Sequence, residues 1–229
     1  MDLIWDGIVT AFELLARLNR EVLAVTGLTL QVSGLATLIS LLLGLVTGAV
    51  LALGRFRGQR FLHSLVNAGL GLPPVVVGLG VCLLFWRSGP LGALRIIYTP
   101  AAMVVAQCII AYPVMAGLSA AALQQVGASF RTQVEAMGAS RIQLLGAMLW
   151  EARYGVMGAV MAAFGSVISE VGASMMVGGN VVGQTRVLTT AIVLEVNRGH
   201  FDMAIALGLI LLGLTYSATA LLTLAQQKR

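Results

Sequence analysis

Glu170 is the only Asp, Glu, Lys or Arg between Tyr154 and Thr185, in the stretch Ser169-Glu-Val-Gly-Ala-Ser-Met-Met-Val-Gly-Gly-Asn180. An ionisable group in such apolar surroundings is costly, so it either meets a partner or serves a function. A structural partner would be a hydroxyl or an arginine, and Arg186 is the cation beside the glycine-rich turn. Other chemistry is excluded by what is missing. Neither His63 nor His200 stands in a His-Glu-x-x-His context, and no Gly-x-Ser-x-Gly occurs, so metalloprotease and serine hydrolase readings have no machinery. Cys82 and Cys108 both lie inside apolar runs, which suits small core residues rather than a disulfide or a metal site. Lys228 is the only lysine. A phosphate-binding Walker loop needs a lysine directly after its glycine-rich turn. Any ATP must therefore be hydrolysed on another chain.

The elements around Glu170 are those of a membrane protein. Of the 229 residues, 59% are hydrophobic and 10% charged, against roughly 25% charged in soluble domains. Mean hydropathy is +0.95. The net charge of +5 is scattered, with no basic cluster of the kind that binds nucleic acid. Residues 1–21 alternate acids with Ile4, Trp5, Ile8 and Phe12 and predict an amphipathic helix at the membrane surface, without the basic start of a signal peptide. Residues 22–225 form the membrane domain. About 20 apolar residues span a bilayer, and the charge-free runs predict five spans. They are Val22–Gly54, about Phe61–Trp86, Pro100–Leu118, a fourth running from Tyr154 through Glu170, and Met203 to about Leu224. Gly44 and Gly48 permit a tight helix contact. Pro73 and Pro74 must interrupt the second span, as a simple kink or as broken backbone lining a path. Pro113 bends the third, and Gln107 on it suits an interhelical hydrogen bond. Gly172, Gly178, Gly179 and Asn180 are expected to end the fourth helix and begin a flexible connection. Val187–Leu194 is too short to span and predicts a short helix tucked into the outer face. Glu195–Asp202 is expected to be exposed polar chain, with His200 solvated.

Five spans place the two termini on opposite sides. With Arg55, Arg57 and Arg60 taken as a cytoplasmic anchor, the N-terminus is outside and the C-terminus inside, with 226–229 as a cytoplasmic tail. The inner segments then hold eight basic residues, with Arg131, Arg141, Arg153, Lys228 and Arg229 beside the triplet, and the outer ones six.

The longest polar interruption, Phe130–Tyr154, is the second functional stretch. It carries Gln133, Val134, Glu135, Ala136, Gly138, Ala139, Ser140 and Arg141, and a short helix with small residues at Gly138 and Ala139 would let a partner backbone approach. It resembles the cytoplasmic coupling segment of ABC importer permeases, although the family's Glu-Ala-Ala falls on Thr132, Gln133 and Val134 and its closing Leu-Pro on Trp150-Glu151. The stretch Leu72-Pro-Pro-Val-Val-Val-Gly-Leu79 is similar to the second span of oxyanion permeases. Ser169–Asn180 is similar to their gate region, and Thr185-Arg-Val-Leu-Thr-Thr-Ala-Ile-Val-Leu194 to the segment after that gate. The wording is nearest to the tungstate branch, with molybdate and sulfate permeases as relatives. The resemblance covers about Val22 to Leu224.

The resemblance implies an all-α, type I ABC importer permease that acts as a homodimer in the bacterial inner membrane. It implies two ABC ATP-binding subunits, which carry ATP and Mg, on the coupling loop of about 130–154. It also implies an extracytoplasmic oxyanion-binding protein, and no cofactor on this chain. Pro73, Pro74, Glu170, Gly172, Gly178, Gly179, Asn180, Thr185 and Arg186 would form the gate and substrate path. A tetrahedral dianion needs donors, which Asn180, Gln184, Thr185, Arg186 and backbone N–H groups supply. Glu170 would repel it, so Glu170 is assigned to stabilising the gate, paired with Arg186. An ion-coupled secondary transporter is the alternative of another class. It would show repeated halves and intramembrane acids, of which only Glu170 qualifies.

Overall fold

The computed structural model describes residues 2–16, 19–54 and 56–227. Arg17, Arg55, Lys228 and Arg229 lie outside the described residues, and with them part of the expected anchor and tail. Eleven α-helices and no strands occur among the described residues. Three helices are each long and apolar enough to cross a membrane. They are α2 (Arg20–Leu53), α5 (Pro100–Gln124) and α11 (Phe201–Gln227). Two further crossings are bent pairs: α3 (Gln59–Gly69) with α4 (Pro74–Phe85), at 102°, and α8 (Arg153–Ile168) with α9 (Gly172–Gly178), at 57°. The five expected spans are therefore present as three whole helices and two broken ones.

The breaks have local causes. Leu70–Pro73 cannot stay helical, because Pro74 has no N–H to donate and restricts the residue before it. Pro73 is accordingly extended, at φ −66 and ψ 121, and Pro74 opens α4. Pro113, by contrast, lies inside α5 without ending it. A Cβ on Gly69 would lie 2.6 Å from the Pro113 Cβ, so the proline ring packs against the last residue of α3. The α2–α5 contact rests on Gly44 and Gly48. A Cβ there would meet Met115 Cβ at 2.7 Å and Ala116 O at 3.0 Å. These two small residues bring the backbones together as the small-xxx-small pattern predicts. Val81, Met103, Met115, Ala163, Val167 and Val177 form the buried centre. Leucines such as Leu42 and Leu212 remain exposed, as suits helices whose solvent is lipid tail.

The remaining helices are α1 (Asp2–Ala16), α6 (Ala128–Ala136), α7 (Arg141–Glu151) and α10 (Leu188–Asn197). The first of these, α1, packs along α11, where the Cβ of a residue at Gly7 would lie 2.5 Å from Ile205 Cγ2. Trp5 and Phe12 point away from that contact and are exposed. One stretch differs in part from expectation. Residues 196–202 are exposed, His200 among them, but they are not irregular chain, since α10 runs to Asn197 and α11 starts at Phe201. Glu195 is largely buried, accepts a 3.0 Å bond from Arg198 and lies 2.8 Å from His200 Nδ1. These two contacts draw one carboxylate inward and close the turn. The apolar span ends at Leu224, as expected, while the helix continues through Gln227, and Gln226 Nε2 donates to Tyr154 O at 3.0 Å.

The bundle has two functional ends. At one end, α6 and α7 pack beneath the C-terminal turns of α2 and α5 through Ala49, Leu123, Leu144 and Met148. At the other, the start of α2 meets the segment between α9 and α10, where Leu188 N–H donates to Thr29 Oγ1 at 2.9 Å.

Candidate functional site

The gate segment begins where α8 breaks. Glu170 is 8% exposed, and its Oε1 accepts from Ala173 N–H at 2.8 Å. That N–H belongs to the first turn of α9, which has no residue before it in the helix to donate to. The carboxylate fills that need, and a negative charge at a helix N-terminus is favourable. The expected Glu170–Arg186 pair is not made, and among the described residues no ion pair joins the two. Instead Thr189 Oγ1 donates to the Glu170 carbonyl at 2.9 Å, which ties the break to α10.

Arg186 points to the start of α2. Its Nε donates to Asn180 Oδ1 at 3.3 Å, and a terminal nitrogen lies 3.5 Å from Glu21 Oε1. The Arg186 side chain is 11% exposed and that of Glu21 64%, so the ion pair is solvated on one side. Arg186 walls two small clefts. One, of about 130 Å³, also meets Asn19 and Glu195. The other, of about 440 Å³, meets Gln31 and Gln184.

The turn after α9 is pinned from several directions. Gly178 lies against Met103, whose Sδ would be 2.8 Å from a Cβ. Gly179 is left-handed, at φ +70, and ends α9 by donating to Met175 O at 2.9 Å. Asn180 follows at φ +52, and its Nδ2 donates to Thr190 O at 3.3 Å. Thr185, fully buried, donates to Gly178 O and accepts from Val181 N–H at 3.0 Å. These hydrogen bonds fold the turn onto itself. Gly172 opens α9 rather than ending α8. A Cβ there would lie 2.7 Å from Val75 Cγ2, and one on Gly78 would lie 2.7 Å from Ala173 Cα. The first turns of α4, just after Pro73 and Pro74, thus lie directly on α9. Gln107 makes the expected interhelical bond, donating to Ser174 Oγ at 3.3 Å.

In the coupling segment, Gln133, Val134, Glu135 and Ala136 form the last turn of α6, braced by an Arg131–Glu135 pair at 2.9 Å. Gly138 and Ala139 are not in a helix. They form the turn between α6 and α7, with Gly138 at φ +79. No atom of this chain lies within 4 Å of a Cβ placed on Gly138, so within the subunit glycine serves the left-handed backbone, and the space beside it is open. Ser140 caps α7 reciprocally with Gln143, and Arg141 is its first residue. Met137 and Ile142 flank the turn and are 85% and 82% exposed. Sequence reasoning passed over them, although large apolar residues beside a glycine turn in a polar stretch are a readable signal. It also missed Glu21, Thr189 and Gly78, whose partners are distant in sequence, and Thr190, which bonds Val187 three residues back.

Bent spans in contact through α4 and α9, with an exposed helix pair elsewhere on the bundle, are the architecture of a polytopic membrane protein. Residues 40–229 match the family described as "Binding-protein-dependent transport system inner membrane component", and the chain belongs to that family. A probable anion ABC transporter permease of Haloferax volcanii is 40% identical over 203 residues, 86% of this chain and 88% of that one. A tungstate uptake system permease of Peptoclostridium acidaminophilum is 33% identical over 228 residues, 100% of both chains. A molybdenum transport system permease of Mycobacterium tuberculosis is 30% identical over 195 residues, 80% of this chain and 72% of that one. Among solved structures, an inward-facing conformation of the MetNI methionine ABC transporter matches with a TM-score of 0.69 at 21% identity, over 90% of this chain and 91% of that one. The resemblance drawn from the motifs is thereby borne out, as is the permease-type fold.

Proposed function

We propose that this chain is the permease subunit of an ATP-driven importer for a tetrahedral oxyanion, tungstate foremost. The observation that carries the reading is the end-to-end likeness to a tungstate uptake permease. Two copies enclose the path. The α6–α7 turn, with Met137 and Ile142 exposed beside Gly138, docks the ATP-binding subunit on the cytoplasmic side. The gate segment lies on the opposite side, where a binding protein delivers the ion, and the protein resides in the bacterial inner membrane with its N-terminus outside. This chain carries out no covalent chemistry. It offers hydrogen-bond donors around Asn180, Gln184 and Arg186, while Glu170 is turned inward to cap α9 and does not face the anion. Arg186 is held by one solvated carboxylate and one amide, so it can turn toward an arriving dianion with little lost. Weak, shared contacts suit a path from which the ion must leave again.

The test is ATP hydrolysis by the permease co-purified with the products of neighbouring genes, in liposomes, with tungstate, molybdate and sulfate in turn. Tungstate should stimulate hydrolysis at the lowest concentration. Stimulation by molybdate or sulfate at lower concentration would transfer the assignment to those ions. Uptake that persists with a hydrolysis-dead ATP-binding subunit would refute ATP-driven import. Cysteine labelling from each side should place Arg57 and Gly138 on one face and Ser88 and Arg198 on the other.

A further inference from the structure

The larger of the two clefts beside Arg186, of about 440 Å³, lies between the first turns of α2 and the turn at 182–186. One wall carries Gln31, eleven residues on from Arg20 and so about 16 Å along the axis of α2. A side-chain amide at that depth in a span calls for a polar partner. Yet neither the Gln31 nor the Gln184 side chain makes a hydrogen bond among the described residues. Gly27 lies on the same wall, inside the helix, where glycine is destabilising. A Cβ on it would meet nothing within 4 Å. No close helix contact within the subunit requires this glycine, and what it preserves is the space of the cleft.

The opposite wall is rich in donors. The N–H groups of Gln184, Thr185 and Arg186 all donate to Val181 O, at 3.2, 3.0 and 3.0 Å. Val182 and Gly183 form the tip of this turn, with Gly183 left-handed at φ +73, and their N–H groups have no partner among the described residues. Successive N–H groups in such a turn make an anion-binding concavity. The Arg186 Nε and one terminal nitrogen engage Asn180 and Glu21, and the other terminal nitrogen has no partner among the described residues. Glu21 is the one acid in the lining among the described residues, and its side chain is well exposed.

We propose that this cleft is a resting subsite for a tetrahedral oxyanion beside the gate, and that Gln31 and Gln184 hold the ion next to Arg186. The inference rests on the oxyanion reading above. Most of the donors are neutral, so they hold a dianion without trapping it, as a path requires. A dianion beside Arg186 competes only with Glu21, whose pair is solvated and weak. At about 30 Å³ for a water molecule, the cleft has room for the ion with part of its hydration shell, and bridging waters complete its contacts.

The experiment uses the complete permease–ATPase complex and reads two quantities. One is tungstate bound at equilibrium without the binding protein, in lipid-free detergent and in nanodiscs. The other is tungstate uptake into proteoliposomes with the binding protein present. Wild type should bind tungstate weakly but saturably in both media. The Gln31→Met, Gln184→Met double variant removes both amides at nearly unchanged length, and should lower binding and uptake by about tenfold or more. Gly27→Leu keeps every donor and fills the cleft. It should lower both quantities comparably while melting at or above wild type, because leucine is the better helix former. Gly34→Leu, on the same helix with equally open surroundings but outside the cleft, should bind and import like wild type. Cleft variants that bind and import normally would refute the subsite while leaving oxyanion import intact. So would equal losses in Gly34→Leu and Gly27→Leu, or an importing wild-type complex with no saturable binding. Binding that appears only after co-purified phospholipid is stripped would assign the cleft to a lipid phosphate and overturn the proposal. A wild-type complex that imports no oxyanion would overturn the parent reading and this inference together.

Discussion

Replacing Glu170 separates a helix cap from a charge. Its Oε1 accepts the Ala173 N–H at 2.8 Å in a site 8% exposed. A hydrogen bond to an ionised group contributes about 1.5–3 kcal/mol, and a neutral one about 1 kcal/mol. Glu170→Gln keeps a carbonyl oxygen in the same place and loses only the charge, so stability should fall by about 1–2 kcal/mol at most. Glu170→Ala removes the acceptor and leaves a buried N–H unsatisfied. It should fall by about 2–3 kcal/mol, with a melting temperature lower by roughly 4–10 °C for a chain of this size. Melting of the purified protein in detergent measures the first quantity. Labelling of a cysteine at Ser174 reports whether α9 has loosened. Uptake should survive in Glu170→Gln and drop in Glu170→Ala in step with the loosening. A Glu170→Gln protein that melts like wild type but takes up nothing would refute the cap and make the charge itself the functional element. Equal melting of the two variants would also defeat it.

Gly78→Ala pushes a Cβ to 2.7 Å from backbone of α9, whereas a Cβ on Gly80 meets nothing within 4 Å. The first should therefore lose about 1–3 kcal/mol of stability and much of its transport, and Gly80→Ala should match wild type in folded yield and uptake. Arg186→Gln should reduce uptake about tenfold or more at near-normal expression, if one charge-assisted contact of about 1.5–3 kcal/mol serves the anion. Glu21→Gln should change stability by less than about 1 kcal/mol, because its pair with Arg186 is solvated; a collapse of folded yield in either variant would make Arg186 an anchor. Gly138→Asn tolerates φ +79 and should couple almost normally, whereas Gly138→Trp should lose ATPase co-purification while still inserting in the membrane. Normal coupling in Gly138→Trp would exclude docking at that turn.

The spans were readable because charge-free length is a one-dimensional property, and Pro73–Pro74 announces its own break. The second break was not announced. Ser169-Glu-Val carries no proline, and it opens because the Glu170 side chain takes over the α9 N–H that a continuous helix would have satisfied. For the same reason Arg186 looked like the partner of Glu170, when its carboxylate is Glu21 on α2, far off in sequence. The close contact of Gly78 with Ala173 was hidden likewise, since spacing along a chain says nothing about which helix faces a glycine. Gly138 stands at a left-handed turn that its place in the polar stretch does not announce, since such turns and close helix contacts select the same residue.

The break before α9 has an electrical consequence. Seven residues at about 1.5 Å rise make roughly 10 Å, and a 57° bend leaves about 6 Å of advance along the axis of α8. The hydrocarbon layer is about 30 Å thick. If α9 closes the path as proposed, the barrier is thin, and a thin barrier between watery spaces concentrates the membrane voltage across itself. A dianion carried inward against an inside-negative potential must climb about 4.6 kcal/mol for every 100 mV, twice the value for one charge. On that reading most of the work would be done over a few ångströms beside Asn180 and Arg186, and the fraction of the voltage that falls there would set how steeply uptake depends on it.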